Sequence, residues 1–276
     1  MNSTTDIALL FPGQGSHTPN MRDDVARQRP ELLDRCVELV GEDPFERVEE
    51  STRFAQPAIF CASIAGWSAL HDVQPRAAAG HSLGELGALV SAGVLDLDDA
   101  LRLVILRGRL MAEADDAGSM LALLGGSRED AEAIAQQCGV TVANDNAPGQ
   151  VVLSGQRDKL AEAEKAAREY EVRATPLDVA GAFHSPSMEP AVAPFRAALD
   201  EVDVHEPGFS VYSCATASPF TDVRAELAAA LTHPVRWRET FLAMLADGAR
   251  DFAEVGPGKV LTKLAKRITR EAPTHA

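Results

Sequence analysis

Gly80-His81-Ser82-Leu83-Gly84-Glu85 decides how this sequence is read. Ala77-Ala78-Ala79 before it is short, small and apolar, as the end of a buried strand is. Leu86 to Gly93 after it reads as the start of a helix. Strand, Gly-x-Ser-x-Gly and helix form the setting of a nucleophile elbow, a sharp turn that lifts a serine hydroxyl out of a sheet. The glycines serve that geometry, because close neighbours of a strained turn have no room for a Cβ. The turn also aims the Leu83 N–H and a helix N-terminus at whatever Ser82 attacks. A chance match is the competing reading in a chain with 20 glycines; the flanking strand and helix argue against it.

Length and composition set the frame. With 276 residues, 46% of them hydrophobic, the chain can bury a large core as one domain or a domain with an insert. Aromatic content of 5% leaves Ala, Leu and Val to fill it. A formal net charge of -15 argues against nucleic acid and anionic membranes as partners. No run is long and apolar enough to span a bilayer, and Met1 to Asp6 lacks the basic region of a signal peptide. Cys36, Cys61, Cys138 and Cys214 are scattered, as reduced buried cysteines of a cytoplasmic protein are.

Upstream, Ile7-Ala8-Leu9-Leu10-Phe11 suits a strand buried on both faces. Pro12 to Ser16 follows, with Gln14 between two glycines: either an ordinary turn or a loop that lets backbone approach a ligand. Met21 to Gly41 reads as helix interrupted by Pro30, and Ala58 to His71 as a second helix with Pro57 near its first turn. Leu97 to Asp115 is a further helix, capped by Asp96. At about 100° per residue, Arg102, Arg109 and Glu113 share its wet face, whereas Arg107 lies about 140° from Arg102, among apolar positions. A buried guanidinium needs a partner. Periodicity leaves two open: an acid in the core, or a ligand carboxylate gripped by the two-pronged donor set.

Beyond residue 117 the rhythm changes. Ser119–Leu124, Val140–Ala143, Val151–Leu153 and Val172–Val179 read as strands, with helices over Ser127–Cys138 and Asp158–Tyr170 and a turn-rich loop over Asn144–Gly149. The order β-α-β-β-α-β is the split βαβ, ferredoxin-like motif, read as an insert over 118–179 within a large subdomain of 1–117 and 180–276. His184 then sits in a loop where the chain returns to the main body. A helix over Met188–Leu199, a strand over Phe209–Ser213, helices over Ala225–Leu231 and from His233, a strand over Phe252–Val255 and a helix over Lys259–Arg270 complete it. Strands alternating with helices predict an α/β fold with a mostly parallel sheet.

Taken in order, Gly13-Gln14-Gly15-Ser16, Gln56-Pro57-Ala58, Gly80–Glu85, Arg107-Gly108, Asn146–Gln150, Phe183-His184-Ser185, Pro234–Trp237 and Glu254–Gly258 resemble the motifs of the malonyl-CoA:acyl carrier protein transacylase family, which includes the acyltransferase domains of polyketide synthases. The resemblance runs from residue 7 to residue 258. It implies an α/β-hydrolase-like body with a ferredoxin-like insert. It implies Ser82 as nucleophile, His184 as its base, and an oxyanion hole from the Gln14 and Leu83 backbone N–H groups. Arg107 then holds the free carboxylate of a malonyl group, and Phe183 resembles the malonyl-type pattern. The family's histidine is oriented by a main-chain carbonyl before the Pro-Val-x-Trp segment, often from a glutamine; counting back from Pro234 places it near Ala230, without the glutamine.

The implied reaction is ping-pong transfer of malonyl from malonyl-CoA to the phosphopantetheine thiol of acyl carrier protein, with coenzyme A as substrate carrier and neither cofactor nor metal. Because that carrier is acidic, Lys259, Lys263, Lys266, Arg267 and Arg270 are read either as its docking patch or as a solvated helix face. Alternatives are a serine acyl-thioester hydrolase, a malonate decarboxylase transacylase subunit and a non-catalytic carrier-binding module. Arg107 argues against the first, and intact Ser82 and His184 against the last. The Met start and the nearness of the last motif to the end lead us to expect a freestanding enzyme; a cytoplasmic location, from the cysteines, and a monomer are the further expectations.

Overall fold

The computed structural model describes residues 6–70, 73–115 and 117–271. The chain opens with β1 (Ile7–Phe11), α1 (Met21–Gln28), α2 (Pro30–Val40), α3 (Thr52–Ser68), β2 (Ala77–Gly80), α4 (Gly84–Ser91) and α5 (Leu97–Ala114). It continues with β3 (Gly118–Leu124), α6 (Arg128–Cys138), β4 (Thr141–Ala147), β5 (Gln150–Gln156), α7 (Arg157–Ala166) and β6 (Arg173–Leu177). It ends with α8 (Glu189–Asp200), β7 (Ser210–Ser213), β8 (Ser218–Pro219), α9 (Val223–Ala229), α10 (Trp237–Ala246), β9 (Asp251–Glu254) and α11 (Val260–Glu271).

This is an α/β fold with two sheets. The first has the order β8-β7-β2-β1-β9. Its four strands β7, β2, β1 and β9 run parallel, and β8 returns antiparallel at the edge. Strand β1 pairs with β2 from Ala8↔Ala77 to Phe11↔Gly80, so the loop after β1 and the turn after β2 emerge side by side. Both strands are buried on both faces, which is why they read as unbroken apolar runs. Helices α3, α4 and α5 pack against one face over Leu9, Phe11 and Ala78; α10 and α11 cover the other over Ala8, Leu10 and Ala79. The second sheet has the order β4-β5-β3-β6 and is antiparallel throughout, with α6 and α7 on one face. A bridge between Asn144 and Val235, closed by hydrogen bonds Asp145 N–H to Val235 O (2.9 Å) and Val235 N–H to Ala143 O (2.8 Å), ties β4 to the segment before α10.

Several boundaries differ from the sequence reading. Helix α3 starts at Thr52, not Ala58, because the Ser51 hydroxyl accepts from the Arg53 N–H. Pro57 therefore sits inside the helix; burial of nearly every residue from Thr52 to Ala65 compensates the hydrogen bond it removes. Asp96 stands at the N-cap of α5 without a side-chain cap. Helix α4 begins at Gly84 and α10 only at Trp237. The largest correction concerns Asn144–Gly149: Asn144 to Ala147 belong to β4, and only Pro148-Gly149 remain as the turn. His71 and residues 1–5 lie outside the described residues. All four cysteines are free and buried, and among the described residues no helix is long and apolar enough to cross a membrane.

Candidate active site

The turn after β2 is built by close approach. A Cβ on Gly84 would come within 2.0 Å of the Phe11 carbonyl oxygen, and one on Gly80 within 1.8 Å of the Gly84 carbonyl carbon. Only glycine lets α4 start this close to β1. Between them Ser82 has φ 53°, in the left-handed region where a serine is strained. His81 N–H to Phe11 O (2.9 Å) and Glu85 N–H to Ser82 O (3.0 Å) hold it there.

Ser82 Oγ lies 2.8 Å from His184 Nε2. His184 comes from the loop after β6, also at positive φ, 57°. Its Nδ1 lies 2.8 Å from the Ala230 carbonyl oxygen and 3.2 Å from that of His233, past the end of α9. A carbonyl only accepts, so Nδ1 carries the proton and Nε2 presents its lone pair to the serine O–H. Burial lowers the His184 pKa to about 3; the Arg107 charge pushes the same way, and the two carbonyls oppose. The imidazole is therefore neutral throughout the ordinary pH range. Asp178, exposed at the mouth of the cleft, is not its Nδ1 partner.

Arg107 is buried in α5, 4% exposed. Its Nη1 donates to Gln56 Oε1 at 2.8 Å and its Nη2 to Ser82 Oγ at 2.9 Å. Both partners are neutral. Burial lowers its pKa to about 10, with the Glu85 charge opposing. Among the described residues no carboxylate forms an ion pair with it, so the alternative of a core acid reduces to Glu85 acting through space. Glu85, 1% exposed, accepts the Cys214 N–H at 2.7 Å, and burial raises its pKa to about 7.

These groups share one cleft of about 350 Å³. Gln14, Leu83, Arg107, Phe183 and His184 line it around Ser82, and Ala230 backs the histidine. The Gln14 side chain accepts from the Thr52 hydroxyl at 2.8 Å. Leu83 precedes α4, so its N–H belongs to the helix N-terminus, where amides lack intrahelical acceptors. Phe183 is buried beside His184. Val260 of α11 lines the cleft; Lys259, Lys263, Lys266 and Arg270 are exposed, and Arg267 donates to the Gly149 carbonyl.

The sequence reading missed what braces this cleft from the second sheet. His81 Nε2 meets Asn146 Oδ1 at 2.8 Å, with the Trp237 ring 5.6 Å away. Asp145, 1% exposed, is held by Arg128 (3.0 Å) and Arg238 (3.1 Å). Asn144 lines the cleft, and its buried Oδ1 has no partner among the described residues. Asn144-Asp145-Asn146 read as a turn from their polarity, and Asn146 stood out only as part of a family motif with no role attached. Among the described residues no group of three or more His, Cys, Asp or Glu stands where it could hold a metal ion.

Comparison with known proteins identifies relatives over nearly the whole chain. The family described as the acyl transferase domain matches residues 23–275. The malonyl CoA-acyl carrier protein transacylase of Haemophilus influenzae is 37% identical, over 95% of this chain and 92% of its own length. That of Bacillus subtilis is 38% identical over 98% of this chain and 92% of its own. The PksC polyketide biosynthesis malonyl CoA-acyl carrier protein transacylase, also of Bacillus subtilis, is 35% identical over 96% of this chain and 98% of its own. The crystal structure of the malonyl CoA-acyl carrier protein transacylase from Burkholderia pseudomallei superposes with a TM-score of 0.91 at 34% identity, covering 97% of this chain and 99% of that one.

Proposed function

The chain belongs to the acyl transferase domain family, among the malonyl CoA-acyl carrier protein transacylases, and on that premise we propose that it moves a malonyl group from coenzyme A to acyl carrier protein through a malonyl ester on Ser82. The observation that carries the reading is convergence on one oxygen: Ser82 Oγ lies 2.8 Å from a neutral imidazole and 2.9 Å from a buried guanidinium.

In this reading His184 Nε2 takes the serine proton as Oγ attacks the thioester carbonyl. The oxyanion settles on the Gln14 and Leu83 N–H groups, each worth about 3 kcal/mol in such sites. The C–S bond breaks, and the imidazolium returns the proton to the coenzyme A thiolate. His184 next deprotonates the phosphopantetheine thiol, whose sulfur attacks the ester carbonyl; the C–Oγ bond breaks and the imidazolium returns the proton to Ser82 Oγ. The Ala230 carbonyl keeps the imidazole in the required tautomer. Arg107 keeps Nη1 on Gln56 and turns Nη2 from Ser82 Oγ to the malonyl carboxylate, which selects dicarboxylic acyl groups, and Phe183 bounds the space beside the carbon between the two carbonyl groups. No step calls on a cofactor.

The sheet order β4-β5-β3-β6 supports a ferredoxin-like small subdomain over 118–179 on an α/β-hydrolase-like body of 1–117 and 180–276. Val260 at the cleft mouth supports docking of the acidic carrier along Lys259, Lys263, Lys266 and Arg270. Four free cysteines fit a reducing cytoplasm.

The test loads wild type and Arg107→Ala with malonyl-CoA and acetyl-CoA and follows transfer to phosphopantetheinylated carrier. Wild type favours malonyl. Arg107→Ala loses about 100-fold in malonyl transfer, as the loss of a charged hydrogen-bonded pair implies, with a far smaller change for acetyl. Equal losses for both acyl groups would overturn the reading of Arg107.

A further inference from the structure

Arg107 and Gln14 line the same cleft as Ser82, and three hydrogen bonds join them. Arg107 Nη1 donates to Gln56 Oε1 (2.8 Å), Gln56 Nε2 donates to Thr52 Oγ1 (2.8 Å), and Thr52 Oγ1 donates to Gln14 Oε1 (2.8 Å). Thr52 and Gln56 are one turn apart on α3, 4% and 2% exposed. A hydroxyl has one proton to give, and here it goes to Gln14; its lone pair takes the Gln56 amide. Every dipole in the chain points the same way, from the guanidinium outward, an arrangement in which each bond strengthens the next.

The two ends differ in rigidity. Arg107 is packed inside α5, whose Gly108 lies so close to α3 that a Cβ there would be 3.0 Å from the Thr52 carbonyl oxygen. Gln14 is exposed on the loop after β1, beside Gly15 at φ 90°. Thr52 therefore ties an exposed side chain on a glycine-flanked loop to a closely packed helix pair.

We infer that Thr52 is a positioning residue that sets the spacing between the carboxylate socket at Arg107 and the oxyanion loop at Gln14, and so sharpens the choice of a three-carbon diacid over acetyl. This rests on the reading of Arg107 and Gln14 given above. The distance from the reacting carbonyl to the free carboxylate of malonyl is fixed by two bonds at one carbon. A loop and a guanidinium held at one separation fit both ends of that group at once; acetyl has only one end to fit.

The test compares kcat/KM for serine loading from malonyl-CoA and acetyl-CoA in wild type, Thr52→Val, Thr52→Ser, Arg107→Ala and the double variant Thr52→Val/Arg107→Ala. Thr52→Val removes the hydroxyl at constant shape. It lowers malonyl loading about tenfold and acetyl loading about threefold, the range of one to two hydrogen bonds. Thr52→Ser keeps the wild-type ratio between the acyl groups. In the Arg107→Ala background, Thr52→Val lowers both acyl groups alike, because the socket is already gone. A fraction of misfolded enzyme lowers both rates together and leaves the ratio unmoved, so the ratio separates positioning from mere structure. An unchanged malonyl-to-acetyl ratio in Thr52→Val, with Arg107→Ala still selective against malonyl, overturns this inference alone. Arg107→Ala lowering both acyl groups alike overturns the reading beneath it.

Discussion

Two backbone segments meet at the cleft, and they obey different rules. The turn from Gly80 to Glu85 takes its shape from atoms beside it: the Phe11 carbonyl, the Gly84 backbone and its own hydrogen bonds. Strand β4 takes its shape from afar. Asp145 is strand because Arg128 and Arg238 neutralise it, Asn146 because His81 meets it, and Asn144 because Val235 lies alongside. A strained local turn announces itself in sequence through its glycines. A strand of buried polar residues announces a loop, since nothing near it says who will satisfy it.

Breaking the local segment costs most. Gly84→Ala forces a Cβ to within 2.0 Å of the Phe11 carbonyl oxygen, backbone that can yield only by parting α4 from β1. We expect a loss of about 4 kcal/mol or more in urea unfolding, beyond ordinary overpacking. A variant within 1 kcal/mol of wild type, as an exposed helix Gly→Ala would be, would mean that the elbow is not sterically set.

Breaking the distant segment costs less and sharpens the contrast. Asp145→Ala leaves two guanidinium groups facing a cavity. Because those arginines are 26% and 31% exposed, solvent repays part of the loss, and we expect about 2 kcal/mol rather than the larger figure of a fully buried pair. A double-mutant cycle with Arg238→Ala isolates the pair; zero coupling would show that β4 is held by its backbone bridge alone.

The same division explains what was legible. The parallel core was readable because β1 and β2 are buried on both faces and carry no polar residue. The elements of the second sheet were readable in their order from apolar runs and caps, of which Ser127 and Asp130 form a reciprocal capping box. Ser82 was marked by its own neighbours. His184 was not: a loop histidine carries no local sign, and only the resemblance singled it out. Arg107 was half legible, since periodicity placed it inside α5 but could not choose its partner. Thr52 was invisible, because its helix was read as starting six residues later, and a hydroxyl inside an unrecognised first turn has no assigned neighbours.

The central claim is covalent, so the most direct measurement is the mass of the protein after brief exposure to malonyl-CoA and acid quench, with the modified peptide sequenced by fragmentation. The account predicts a single malonyl group on Ser82, discharged when phosphopantetheinylated carrier protein is added and absent from Ser82→Ala. A malonyl group on another residue, or one that persists in Ser82→Ala, would contradict it.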